Sequence, residues 1–133
     1  MIGQQWEGGY VGENAPDLPI TLRFEPILSG KAVKYTREAA AVDFYSETYF
    51  YWSPEREEVL FLNLNSRGMV GEGVASLQDG GIVLEGESHS SDGSTQFKTV
   101  LHISAEGVLK DTFTGTKNGE RVRGHIQEFI VKP

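Results

Sequence analysis

The chain has 133 residues, a net charge of −7 and no cysteine. That length suits one domain spanning residues 1–133, and the absence of thiols excludes disulfides, cysteine nucleophiles and thiolate metal sites. The acidic balance argues against a nucleic-acid partner, and no stretch nears the roughly 18 apolar residues of a membrane helix. The opening segment MIGQQWEGGY has neither a basic region nor an apolar run, so no secretory leader is read and a cytoplasmic location is expected.

Sixteen glycines divide the chain into short runs rich in β-branched and aromatic residues, the pattern of many strands joined by tight turns. Ten strands are predicted, over residues 4–10, 18–25, 31–38, 43–52, 57–65, 69–78, 81–88, 95–104, 108–115 and 120–131. Between the third and fourth, Glu38 to Ala41 suit one short helical turn. SPER (Ser53 to Arg56) places Pro54 for a type I turn. SRG (Ser66 to Gly68) and AEG (Ala105 to Gly107) suit three-residue hairpin loops, and the Asp-Gly and Asn-Gly pairs of QDGG and KNGE suit two-residue type I′ turns. Neighbours in sequence are then neighbours in an antiparallel meander. Ten such strands expose edges unless the sheet closes. The predicted fold is therefore all-β, a single antiparallel up-and-down barrel of about 8–10 strands, with a two-sheet sandwich as the alternative.

Turn geometry sets register, and register sets faces. Across AEG, Leu101 should meet Asp111 and Thr99 meet Phe113; across the Asn-Gly turn, Phe113 should meet Gly124 and Asp111 meet Ile126. Phe97, Leu101, Phe113, Val122, Ile126 and Ile130 then face inward, with one carboxylate, Asp111, among them. Lys98, His102, Lys110, Arg121, Arg123, His125 and Gln127 face outward, most of them basic on an acidic protein. In strand two Ile20, Leu22 and Phe24 share a face. In strand three Val33, Tyr35 and Arg37 do, which makes Arg37 a second inward charge.

The segment DFYSETYFYW (Asp43 to Trp52) holds six of the 14 aromatic rings other than histidine. Pairing Trp52 with Glu57 and Phe50 with Val59 groups Phe44, Ser46, Thr48, Phe50 and Trp52 with Val59, Phe61 and Asn63. The SRG loop adds Gly71, Gly73 and Ala75 to that face. Small residues beside large ones suit a tapering barrel interior, so this face is read as inside. Tyr45, Tyr49 and Tyr51 then lie outside with Leu60, Leu62 and Leu64, a face suited to a homo-oligomer contact. If the strand faces the other way, Glu47 becomes an interior anchor.

His89, His102 and His125 lack the clustered spacing of a zinc site and are read as surface residues, with no metal or cofactor expected. SHSSDGST holds Ser, His and Asp close together, but a triad must converge from a rigid scaffold, so the segment is read as a solvated hairpin loop. Asp111 and Arg37 are the sharpest polar candidates. Inside a barrel each is costly unless paired. They read either as an anchor for a ligand's head group or as a structural pair.

GQQWEGGY opens strand one with Gly3, Trp6, Gly8 and Tyr10. An early tryptophan beside glycines, followed by an antiparallel meander, resembles the lipocalin and fatty-acid-binding superfamily, the calycins. The later rhythm, YWSPEREEVLFLNLNSRGMVGEG onward, resembles the uncharacterised bacterial lipocalin-like barrels. The resemblance covers nearly the whole chain. It implies a small, mostly apolar ligand in the barrel mouth, and a floor closed by Trp6 with Arg121 or Arg123 against it. The short spacing between strands one and two leaves no room for a helical lid. Candidate ligand contacts are Trp6, Phe24, Tyr35 and Arg37 from the first strands, Phe44, Phe50, Trp52 and Phe61 from the aromatic hairpin, and Phe97, Leu101, Asp111 and Phe113 from the last. The leading reading is non-catalytic binding of a small hydrophobic or amphipathic molecule. The alternatives are an isomerase- or decarboxylase-type enzyme on the same barrel, and an oligomeric interaction module.

Overall fold

Short strands of alternating pattern, each ended by a residue that can turn, have few ways to bury one face without leaving an edge. The computed structural model, which describes all residues 1–133, takes the closed solution. Its strands are β1 (Gln5–Val11), β2 (Ile20–Ile27), β3 (Ala32–Ala39), β4 (Phe44–Ser53), β5 (Glu58–Asn65), β6 (Val70–Gln78), β7 (Gly81–Ser90), β8 (Gly93–Ile103), β9 (Leu109–Lys117), β10 (Glu120–Arg121) and β11 (His125–Val131). Each pairs antiparallel with the next from β1 to β9, and β11 bridges β9 and β1. The result is a closed ten-stranded antiparallel barrel, with the two-residue β10 as an extra piece on β9. A single 3-10 turn, Ala40–Val42, is the only helical element, so there is no helical lid. No helix is long and apolar enough to cross a membrane.

The turns explain the register. Asp79 and Gly80 both hold positive φ, +50° and +77°, as a type I′ turn demands, and Gln78 pairs with Gly81. Asn118 and Gly119 repeat this between β9 and β10. Gly68 and Gly107 close the two three-residue loops at φ +80° and +83°. The β4–β5 turn departs from expectation. Glu57 joins the loop at φ +53°, so Trp52 pairs with Val59 and Phe50 with Phe61. The shift is two residues, which preserves the faces, and the Phe/Trp side is the interior. Ser46, Thr48 and Phe61 are buried, while Tyr45, Tyr51 and Leu64 are exposed on the outer side.

The last strand corrects the sequence reading. Arg121 pairs with Thr116 but His125 pairs with Phe113. Three residues, Val122, Arg123 and Gly124, thus stand opposite two, Thr114 and Gly115. This is a β-bulge, and it reverses inside and outside for everything after it. His125 and Gln127 face the interior, where Gln127 is buried, and Ile126 and Ile130 face out, the latter 59 % exposed. The outward basic stripe therefore loses His125.

One belt of rings spans the barrel waist. It runs from Tyr10 on β1 through His125, Phe113, Phe97, Phe61, Phe50 and Tyr35 to Phe24 on β2, with successive centroids 4.4–6.5 Å apart. Eight strands supply a ring each. The other two, β6 and β7, supply glycine at the same level: Phe61 faces Gly73, Gly73 faces Gly86, and Gly86 faces Phe97. A Cβ at Gly73 or Gly86 would run into the backbone of the facing strand. These glycines let Phe61 and Phe97 meet across two intervening strands. The apolar core, with Trp6, Leu22, Leu109 and Phe129 nearly inaccessible to solvent, packs where β1, β2, β9 and β11 adjoin. Burying each such side chain contributes about 1.5–3 kcal/mol.

Candidate functional site

Alternation along β3, β4, β5 and β8 carries polar and aromatic side chains to the same side of the waist. There they enclose a chamber of about 270 Å³ at the end of the barrel marked by the 3-10 turn and the β5–β6 loop. Phe44, Phe61, Phe97 and Phe113 supply apolar walls, and Tyr35, Arg37 and Asp111 supply a charged floor. Seven of the twelve sequence-selected residues meet here.

The floor is a closed hydrogen-bond cluster. Arg37 comes from β3 and Asp111 from β9, and their side chains form a salt bridge through Nη2 and Oδ2. The same Nη2 donates to the Tyr35 hydroxyl at 2.6 Å, and Nη1 donates to Gln127 Oε1 at 2.7 Å. Asp111 is 2 % exposed and its Oδ1 has no hydrogen-bond partner. The pair answers the desolvation penalty each charge would meet alone. Burial opposes the charge on Arg37, but Tyr35 and Asp111 outweigh it and hold the guanidinium above its ordinary pKa. Burial raises the Tyr35 phenol as well, so it stays protonated. Tyr35 accepts from Arg37 and engages no acceptor with its own proton. Arg37 retains two N–H donors, on Nε and Nη1, beyond the three it has committed.

Neutral donors and acceptors ring the rest. Asn63 Nδ2 donates to Thr48 Oγ1 at 2.7 Å, and Ser46 and Thr99 add hydroxyls. His125 stacks on Phe113 at 4.9 Å between centroids. Burial lowers its pKa, the charge of Asp111 works the other way, and Arg37 lowers it further, leaving the net shift downward. The imidazole is therefore neutral near pH 7. The sequence reading placed His125 and Gln127 outside because it carried the hairpin register through the bulge. Gly124 within a strand pattern was the available signal, since an isolated strand glycine often marks a bulge.

The other selected residues lie elsewhere. Phe24, Phe50, Trp52 and Leu101 line a second cavity at the opposite end of the barrel, and no residue lines both. Trp6 is buried in the core and lines neither, while Arg121 and Arg123 are exposed. His102 is exposed and His89 lies beside the β7–β8 turn, 2.8 Å from Ser94 Oγ. On the outer wall Tyr45 and Tyr49 both donate to Glu47, and these bonds hold its carboxyl below the usual pKa. Neither a family model nor a curated protein matches the chain.

Proposed function

We propose that the barrel binds a small amphipathic molecule in the chamber floored by Arg37 and Asp111, without transforming it. The observation that carries this reading is the convergence of a buried ion pair, with donors still unspent, on a cavity walled by aromatic rings. Such a mixture of apolar walls and a few placed polar groups is characteristic of small-molecule sites. At about 270 Å³ the chamber lies just below the roughly 300–1,000 Å³ of pockets for drug-sized molecules, so the ligand is small. Its apolar body rests against Phe61, Phe97 and Phe113. Its polar end accepts from Arg37 and Tyr35. Because Asp111 already neutralises Arg37, a neutral acceptor such as a carbonyl or hydroxyl oxygen suits the floor better than a second carboxylate.

Histidine NMR tests the reading. Neutral aromatic ketones and phenols of about ten heavy atoms, titrated into the protein, should move the ring signals of His125 and leave His89 and His102 in place. Thr99→Leu, which fills the chamber, should abolish the response. If no compound of this class moves His125, or if the response survives in Thr99→Leu, the reading fails.

A further inference from the structure

The geometry points to a second binding site in the cavity at the opposite end, for an apolar molecule that carries a positive charge. About 600 Å³ of space lies against Met1, Ile2, the β4–β5 hairpin and the start of β7, and 12 of its 15 lining residues are hydrophobic. Size and lining both fall in the range of small-molecule pockets. Phe24 and Leu101 are buried at its inner wall, whereas Trp52 is 56 % exposed. A large ring left this open on a cavity wall offers a ligand contact area that the fold itself does not use.

Charge sets the class of ligand. The only charged side chains lining the cavity are Glu57 and Glu58. Arg56 engages Glu58 at 3.1 Å at the surface, and Glu57 forms no salt bridge. Glu57 also sits at φ +53°, where glycine or asparagine would rest with less strain. The turn thus keeps a carboxylate at a position that glycine would close more easily. The face of the Trp52 indole, on the same cavity, attracts cations through its ring quadrupole. A ligand whose ammonium group meets Glu57 and Trp52, and whose apolar body reaches toward Phe24 and Phe50, satisfies both parts of the lining. An anionic ligand whose head group took the same place would meet the unpaired carboxylate of Glu57 instead.

Octyltrimethylammonium, 1-octanol and octanoate, which share a chain length, test this on the full chain. Tryptophan emission reports Trp52, because Trp6 is buried and lines neither cavity. The ammonium probe should shift the emission and bind about fivefold tighter than octanol, as one partly exposed charge contact allows. Octanoate should bind weakest, and His125 NMR signals should stay still. Glu57→Gly should melt no lower than the parent yet lose the preference for ammonium over alcohol, and Glu57→Gln should lose it too. Trp52→Phe should lose the emission change while calorimetry still detects binding. Octanoate binding as tightly as the ammonium probe overturns the charge assignment. No response to any probe, an emission change that persists in Trp52→Phe, or movement of His125 by the ammonium probe overturns the site.

Discussion

The two ends of this barrel share every strand and almost no chemistry. At the chamber end the charges are inside and mutually neutralised: Arg37 and Asp111 are paired over a floor that also holds Tyr35 and Gln127. At the Trp52 end the interior is apolar, and the carboxylates Glu57 and Glu58 come from the β4–β5 turn and the first residue of β5. The aromatic belt is what allows the difference. The two cavities share no lining residue, so each end solves its own solvation problem. A barrel with an open waist would expose one set of groups to the other.

The largest expected effect breaks the belt at its tightest point. Gly86→Val places a side chain against the backbone of β6, beyond the ordinary 1–3 kcal/mol of overpacking. It should abolish cooperative unfolding as followed by circular dichroism. Next is Phe61→Ala. Removing a ring that is 2 % exposed should cost about 3–5 kcal/mol in denaturant unfolding. It should also join the two cavities, so that an alkylammonium probe now moves His125.

Arg37→Met sharpens the comparison. It leaves Asp111 without its cation and should cost about 3 kcal/mol, the low end for a broken buried pair because Arg37 is partly accessible. Arg37→Met with Asp111→Leu should recover most of that loss, since both charges are then gone. If the double variant is no more stable than the single one, the pair is not the source of the effect.

The smallest effect is in pH. The folded-state pKa of His125 lies below its ordinary 6.5, so the unfolded chain binds the proton more readily. Stability from the neutral imidazole is complete above pH 6.5 and declines as pH falls below it. His125→Phe keeps a ring for stacking and should lessen the fall in denaturation midpoint between pH 7.5 and 5.5.

Most of the wall was legible because turns are local. Asp79-Gly80 and Asn118-Gly119 declare their φ values in their residue types, and register follows from them. The interior of β4 was legible through Gly71 and Gly73, which make room for its rings. The ion pair was half legible. Alternation turned Arg37 and Asp111 inward, but their meeting depends on barrel curvature, which no pairwise pattern encodes. The separation into two cavities was not legible at all, because it depends on eight rings from eight strands touching in sequence. His125 was misplaced because a bulge adds one residue without changing composition.

That bulge decides which face of the last strand lines the barrel. Beyond Gly124 the strand carries two complete faces, one with His125, Gln127 and Phe129, the other with Ile126, Glu128 and Ile130. Loss of a single codon at Arg123 would remove the bulge and leave His125 opposite Phe113, whereas keeping all three residues without a bulge would set Gly124 opposite Phe113 and exchange the faces. The lining of the seam where the barrel closes is therefore decided by one extra residue in the β10–β11 connection, with every other strand untouched.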